Sequence, residues 1–165
     1  MSAEKARKLE ARLGELGLAM PPAPAPIGAY VPAVRTGRLV FTAAQLPMKD
    51  GKLTATGKVP ADVPLEAAQA AAAQAVLNAL AAAKTAAGSL DAIARVVRLN
   101  VFVNSSPGFT EQPKVANGAS DLLVKLFGDA GRHTRCAVGA AELPMNSPVE
   151  LDLIVELAPG LGDMG

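Results

Sequence analysis

The alternation of hydrophobic and polar residues predicts five strands and three helices along the chain. The predicted strands are Val31–Thr36, Leu39–Ala44, Arg95–Asn104, Thr134–Glu142 and Val149–Leu157. The predicted helices, in which apolar residues recur at helical spacing, are Ser2–Leu18, Leu65–Ala87 and Thr110–Phe127. This order predicts an α/β (α+β) domain with a mixed sheet, because long helical crossovers join parallel strands. We expect the second and third helices to pack on one face of that sheet.

Two of the strands indicate which face of the sheet is apolar. In the last strand the apolar positions are Val149, Leu151, Leu153, Val155 and Leu157, and the charged positions between them are Glu150, Asp152 and Glu156. In the strand Arg95–Asn104 one face carries Val97, Leu99, Val101 and Val103, and the other carries Arg98 and Asn100. With the helices on the apolar face, the polar face is left to solvent or to another subunit. Ala137, Gly139 and Ala141 are small enough for another subunit to approach, so we expect an oligomer.

Glycine and polar residues indicate where the helices begin and end and which side of the second helix faces solvent. Gly88 and Gly128 are expected to end the second and third helices, and Thr110 is expected to cap the third. On the Ala-rich second helix, the residues expected to face solvent are Gln74, Asn78 and Thr85.

A proline-rich segment separates the first helix from the rest of the chain. The segment Pro21–Pro26 cannot continue a helix, because proline lacks an N–H and restricts the residue before it. We therefore expect a stiff connector, with the first helix as an appendage to the main fold. The predicted organisation is a helix and connector over residues 1–26, a main domain over 27–158 and a tail over 159–165.

Composition excludes several functional classes. The 165 residues fit one domain, and 16 basic against 15 acidic side chains give a net charge of +1. This balance argues against a nucleic-acid partner, which requires clustered positive charge. One cysteine and one histidine cannot build an intrachain disulfide, nor a four-ligand zinc site unless subunits share the metal. We find no secretory signal and no apolar run of about 20 residues to cross a bilayer, so we expect a soluble cytoplasmic protein.

Arg135 is the leading candidate for ligand binding. An arginine that faces a cleft binds a carboxylate through two parallel hydrogen bonds, and a carboxylate such as Glu150 or Asp152 could transfer a proton there. Arg135 could instead form a salt bridge with a nearby acid. If the last two strands form a hairpin, Arg135 lies opposite about residue 156, which is about 20 Å along the strand from Glu150. The two side chains then meet only with another strand order or between subunits.

Other candidate groups give weaker signals. Tyr30, the only tyrosine, lies near a glycine and either orients a ligand or packs half-buried. Cys136 and His133 are three residues apart in an extended segment and point to opposite faces, which favours a buried thiol over a nucleophile. No glycine-rich turn matches a phosphate-binding motif, and no GxSxG serine accompanies the single histidine. Nucleotide binding and a Ser–His–Asp hydrolase therefore have no support.

Several segments together resemble the Rid family, also called YjgF-like or endoribonuclease L-PSP-like. These segments are Ile27–Tyr30, Thr42–Pro47, Asn100–Val103, Arg135–Val138, Leu143–Pro144 and Val149–Leu151, in the family's order over about residues 26–156. The resemblance implies a chorismate-mutase-like fold assembled as a homotrimer, with clefts between subunits. It also implies hydrolytic deamination of reactive enamines and imines to 2-keto acids and ammonia, with no metal or cofactor. The first helix and the connector resemble those of a longer subgroup.

The residue roles that the resemblance implies fall on four positions of this chain. Arg135 would bind the carboxylate of a small substrate, and Glu150 would handle the water. Tyr30 and Asn117 would line the same cleft. A cleft between subunits would also resolve the separation of Arg135 and Glu150 along their strands.

The chain departs from the family pattern within this cleft. The usual Ser-Gly-Gln is Ala43-Ala44-Gln45, which removes a hydroxyl and adds methyl groups. The usual cysteine two residues after the arginine is Ala137, while Cys136 stands one place early and so on the opposite face. Gly139 replaces a bulkier residue. These changes imply a remodelled substrate pocket and leave two alternatives: a non-catalytic or regulatory protein that binds small carboxylates, and an endoribonuclease, which near-neutral charge and scarce aromatic residues disfavour.

Overall fold

The computed structural model describes residues 3–25 and 28–160. Its helices are α1 (Ala3–Glu15), α2 (Leu65–Ala87) and α3 (Gln112–Phe127). Its strands are β1 (Ala33–Thr36), β2 (Leu39–Thr42), β3 (Met48–Lys49), β4 (Lys52–Leu53), β5 (Ile93–Asn104), β6 (Thr134–Ala140) and β7 (Val149–Leu157). The predicted helix start at Ser2, the end of the connector at Pro26, the motif residue Ile27 and tail residues 161–165 lie outside the described residues.

The strands form a mixed sheet covered on one side by two helices, which confirms the predicted α/β architecture. The sheet has five strands in the order β1-β2-β7-β5-β6, and β3 and β4 form a separate hairpin. β5 and β6 are parallel because α3 makes the crossover between them, and the other neighbours in the sheet are antiparallel. α2 and α3 pack on each other and on the sheet. No helix within the described residues has the length and apolarity needed to cross a membrane.

Burial along β7 distinguishes the two faces of the sheet. Every second residue from Val149 to Leu157 is buried beneath the helices, as the alternation predicted. The residues between them, including Glu150 and Asp152, are half-buried on the other side. No element among the described residues covers that side, which we call the open face. Its partial exposure leaves room for a further contact in an assembly.

A glycine allows the two long helices to lie close together. α2 begins and ends as predicted and stops where Gly88 adopts a φ of 80°. In α3, Gly118 lies directly against the backbone of α2, and a Cβ there would be 2.1 Å from the carbonyl oxygen of Gln69. The missing side chain at residue 118 therefore sets the spacing between the helices.

Two predicted faces are corrected by the structure. Asn78 is buried rather than solvent-facing, because its amide nitrogen donates hydrogen bonds to the carbonyl oxygens of Leu46 at 2.8 Å and Met48 at 2.9 Å. Val97, predicted to lie on the apolar face of β5, is not buried. The pairing of β5 with β7 is irregular between Val96 and Arg98, and Val96 is the buried residue instead.

Several element ends also differ from their predicted positions. Thr110 does not cap the third helix: α3 begins at Gln112, with Glu111 as N-cap and a proline in the first turn. The strand predicted over Thr134–Glu142 ends at Ala140. The extended pairing stops there because the following chain turns back through a short helical turn towards β7.

α1 is part of the core, and the prediction of an appendage is wrong. Leu9 and Leu13 belong to the same cluster of buried residues as the sheet and the long helices. The Arg12 guanidinium also donates a hydrogen bond to the carbonyl oxygen of Leu126, at the end of α3, at 2.6 Å. Pairing of that arginine with an otherwise unpaired helix-end carbonyl fixes α1 beside α3.

Replacing Leu13 with alanine should lower the free energy of unfolding of the whole domain by about 2–4 kcal/mol, because the side chain is 2% exposed and leaves a cavity. Urea denaturation followed by circular dichroism measures the change. Leu16→Ala is the matched control: Leu16 is 41% exposed, so its loss should cost less than about 0.5 kcal/mol. Equal stability of the two variants would contradict the docking of α1.

Candidate functional site

Arg135 lies on the edge strand β6 beside α3, with an exposed side chain. It is in register with buried Leu99 of β5, so it projects on the helix-covered side of the sheet. There its Nη1 atom donates hydrogen bonds to Asn117 Oδ1 at 2.8 Å and to Ser120 Oγ at 3.1 Å. Asn117 and Ser120 are three residues apart on α3 and therefore share a face of the helix.

These two bonds occupy one side of the guanidinium only. Arginine has five N–H donors, and Nη1 carries two of them. Within the described residues, the donors on Nε and Nη2 have no hydrogen-bonding partner, and Arg135 forms no ion pair with an acidic side chain. The Nε–Nη2 side has the fork geometry that binds a carboxylate through two parallel bonds. Arg135 is thus held in place and still able to bind an anion.

His133 and Ser120 extend this arrangement; sequence reasoning considered His133 with Cys136 and did not consider Ser120. Ser120 Oγ lies 3.0 Å from Nε2 of His133, whose Nδ1 lies 2.6 Å from the carbonyl oxygen of Gly131. Ser120 does not stand in a GxSxG motif, so no sequence motif links it to the histidine. The sequence does indicate that Asn117 and Ser120 share a face of the third helix. It does not indicate that this face lies next to β6.

The rest of β6 separates the predicted site residues by face. Ala137 and Gly139 follow Arg135 on the helix-covered side, at alternate positions of the strand. A Cβ on Gly139 would be 2.9 Å from Ser105 Oγ and 3.1 Å from Gln112 Nε2. The absence of a side chain at residue 139 therefore lets these two polar groups lie close to the strand. Cys136 is in register with Asn100 on the open face, away from Arg135.

Glu150 does not meet Arg135 within one chain. The hairpin assumed for the last two strands is not formed, because β5 lies between β6 and β7. Glu150 is in register with Phe102 and projects on the open face, whereas Arg135 projects on the opposite side of the sheet. Only a second protomer could bring these two side chains into one site.

Glu150 lies beside a polar network on the open face. Asp152, two residues further along β7, accepts a hydrogen bond from the Asn100 amide at 2.8 Å, and the Oδ1 atom of that amide accepts one from Arg98 Nε at 2.9 Å. Burial, and then repulsion from the Asp152 carboxylate, raises the pKa of Glu150 above its ordinary value of 4.5. A raised carboxyl pKa suits a group that both accepts and returns a proton.

Replacing Glu150 with glutamine should make the protein more stable than wild type at pH 7. The folded state holds the Glu150 proton to a higher pH than the unfolded chain, so the carboxyl favours folding at acidic pH, and this contribution is lost as the pH rises through the raised pKa. The advantage of the variant should shrink as the pH falls towards 4.5. Urea denaturation across this pH range measures it, with Glu142→Gln, whose side chain is 82% exposed, as control. An unchanged difference across the range would contradict the raised pKa.

Tyr30 lies at the other edge of the sheet, and Ala43 and Ala44 lie next to that edge, at the end of β2. Tyr30 is 54% exposed just before β1, and Ala43 pairs through its N–H with the Pro32 carbonyl oxygen at 2.8 Å. From Phe41 to Gln45 this segment advances four residues while its partner strand β7 advances three, from Ile154 to Leu151. The extra residue makes a bulge at Ala43–Ala44.

The predicted site residues therefore form three separate groups in one chain. Arg135, Asn117 and Ala137 lie at the β6 edge. Tyr30 lies beside β1 at the other edge, with Ala43–Ala44 next to it at the end of β2, and Glu150 lies on the open face of β7. The β1 and β6 edges are four strand spacings apart, or about 19 Å. A cleft that contains residues of both edges requires the β1 edge of a second copy.

The comparisons with known proteins agree with this mixed α/β fold. The family model described as "YjgF/chorismate mutase-like, putative endoribonuclease" matches residues 10–157. The chain belongs to this family, which confirms the Rid-like membership predicted from the motifs. The match begins inside α1, consistent with the place of α1 in the core.

Similar proteins cover nearly the whole chain. Protein TCP17 of Trypanosoma cruzi is 46% identical over 95% of this chain and 99% of its own length. A crystal structure of protein Atu1372 from Agrobacterium tumefaciens superposes with a TM-score of 0.88 at 46% identity, covering 94% of this chain and 96% of that one. A 2-iminobutanoate/2-iminopropanoate deaminase of Dermatophagoides farinae is 30% identical over 84% of this chain and 93% of its own length.

Proposed function

We propose that this protein hydrolyses small imines that carry a carboxylate, giving a 2-keto acid and ammonia, in clefts shared by two copies of the chain. The observation that carries the proposal is the geometry of Arg135. Its Nη1 atom is bound by Asn117 and Ser120, and its Nε–Nη2 side is exposed with no partner among the described residues. A carboxylate fits this side of a guanidinium through two parallel hydrogen bonds.

The reaction makes modest demands on the protein. Water adds to the electrophilic C=N carbon to give a carbinolamine. The carbinolamine hydroxyl then loses its proton and forms C=O as the C–N bond breaks, and nitrogen gains a proton and leaves as ammonia. An enamine first gains a proton on carbon and loses one from nitrogen, which gives the imine. The protein must hold the carboxylate, place the water and transfer a proton, and general acid–base help contributes about 10²–10⁴-fold.

Glu150 is the proposed acid–base group, and its raised pKa supports this role. Its place on the open face, opposite Arg135, means that a neighbouring protomer must contribute to each site. The open face also carries exposed apolar side chains: Val34 and Phe41 are neighbours across β1 and β2, and Val138 stands on β6. Such a surface favours coverage by another copy. We propose the homotrimer that the family resemblance implies.

The name of the Dermatophagoides farinae relative supports the imine substrate class for a member of the same family. A second candidate, a non-catalytic carboxylate-binding protein, is favoured by the methyl groups of Ala43, Ala44 and Ala137. These side chains offer no hydroxyl or thiol to a substrate. The two candidates differ in turnover but share binding by Arg135. Ammonia and keto-acid release from freshly generated 2-aminoacrylate and 2-iminobutanoate distinguishes them.

Mixing two inactive variants tests whether the site is shared. Tyr30→Ala removes a residue of the β1 edge and Arg135→Ala one of the β6 edge, so each alone should lower turnover strongly. When the two are unfolded and refolded together, random assembly gives sites with both wild-type residues, and activity should recover to about a quarter of the wild-type level. Activity no higher than the mean of the separate variants would contradict a site built from both edges.

A further inference from the structure

We infer that Ser120 and His133 are positioning residues that orient the Arg135 guanidinium for carboxylate binding. No family motif quoted for this chain includes either residue. The inference rests on the proposed function, because it concerns how the same arginine is held. It assigns a role to the single histidine, which the proposed reaction does not use.

The hydrogen bonds fix the tautomer of His133. A carbonyl oxygen only accepts, so the 2.6 Å contact with Gly131 requires a proton on Nδ1. In the neutral ring, Nε2 then carries a lone pair and accepts the Ser120 hydroxyl proton over 3.0 Å. The backbone of Gly131 is itself fixed against α3, since a Cβ there would be 2.3 Å from the Leu123 carbonyl oxygen.

The fixed ring in turn orients Ser120. A serine hydroxyl rotates freely unless its proton has an acceptor. With that proton directed at His133, the oxygen lone pairs of Ser120 point towards Arg135, whose Nη1 donates to Oγ at 3.1 Å. Asn117 Oδ1 accepts the second Nη1 proton at 2.8 Å. The chain Gly131–His133–Ser120–Arg135 thus leaves the Nε–Nη2 side as the only one free for a ligand among the described contacts.

Such preorganisation reduces the cost of binding. An exposed arginine has several rotatable bonds, and ordering a flexible side chain on binding costs affinity. Ser120→Ala and His133→Leu should each weaken 2-keto acid binding by about tenfold and raise KM similarly, with kcat changed less than threefold. His133→Gln keeps an oxygen acceptor for the Ser120 proton, and should recover most of the affinity. A purely structural role would not separate leucine from glutamine in this way.

Isothermal titration calorimetry of the full-length chain with pyruvate and 2-ketobutyrate measures the affinities, and imine turnover gives KM and kcat. Arg135→Ala is the reference variant, in which we expect 2-keto acid binding to be lost completely. Asp121→Asn, an exposed change on the next residue of α3, is the control for any substitution there. Crystal structures of wild type and Ser120→Ala show directly whether the guanidinium changes orientation.

The outcomes separate this inference from the proposed function. If Arg135→Ala abolishes binding while Ser120→Ala and His133→Leu bind like wild type, the positioning role is wrong and the carboxylate site stands. If Arg135→Ala binds like wild type, both fail. An unchanged Arg135 conformation in the Ser120→Ala crystal also overturns the positioning role, whatever the affinity.

Discussion

Arg135→Ala should lower kcat/KM for the proposed imine hydrolysis by about 10²–10³-fold, which lies within the roughly 2–5 kcal/mol that truncating one partner of a charge pair typically costs. The same substitution should leave the fold nearly unchanged, since the side chain is exposed and, among the described residues, bonds only to the side chains of Asn117 and Ser120. We expect its free energy of unfolding to stay within about 1 kcal/mol of wild type. Steady-state turnover and urea denaturation of the same preparation measure both quantities.

The matched control for this prediction is Arg132→Ala, which removes the same charge three residues earlier. Arg132 is 76% exposed and, among residues 3–25 and 28–160, pairs only with Asp129, at 3.4 Å, so its loss should affect neither stability nor turnover by much. A general electrostatic attraction for anions would give equal effects at Arg132 and Arg135. Wild-type turnover by Arg135→Ala would refute the assignment of the carboxylate site.

Gly118→Ala should destabilise the fold strongly. The added Cβ would lie 2.1, 2.7 and 2.8 Å from the O, C and Cα atoms of Gln69, all of which are backbone atoms of α2. A flexible side chain could move aside, but here α2 or α3 must shift as a whole. We expect a loss of at least about 3 kcal/mol, and a melting temperature lower by about 10 °C.

The control is Gly14→Ala, the same substitution in α1. No atom lies within 4 Å of a Cβ at that position, and the residue is exposed within a helix. There alanine should stabilise the protein by about 0.5–1 kcal/mol, because glycine loses more backbone entropy on folding. Thermal unfolding followed by circular dichroism compares the two, and an unchanged melting temperature for Gly118→Ala would contradict the close helix contact.

The sequence was sufficient for elements whose pattern is local. α2 and β7 begin and end at their predicted residues, because a glycine stop and a strict alternation determine them within a few positions. The sequence was insufficient where contacts with distant parts of the chain determine which residues are buried. Asn78 is buried by carbonyl groups some 30 residues earlier in the chain. α1 joins the core through leucines whose partners are in other elements, which a proline-rich connector does not reveal.

The candidate site could likewise be predicted only in part, because some of its features are local and others depend on distant parts of the chain. Residue types alone made Arg135 a candidate for carboxylate binding, with a salt bridge as the alternative, but its surroundings depend on strand order. β5 lies between β6 and β7, which places Arg135 and Glu150 on opposite sides of the sheet. The link from Ser120 to His133 depends on the angle at which the turn after α3 enters β6. No periodicity in the sequence specifies that angle.

The two unlike edges of the sheet have a consequence for how the proposed assembly could form. A contact between the β6 edge of one copy and the β1 edge of the next is head-to-tail, not self-complementary. Two copies joined in this way form one shared contact, but a β6 edge and a β1 edge still remain free, as in a monomer. Either a ring closes or a filament continues to grow. Because strand twist fixes the rotation between neighbours, the curvature of the sheet would decide how many copies close the ring.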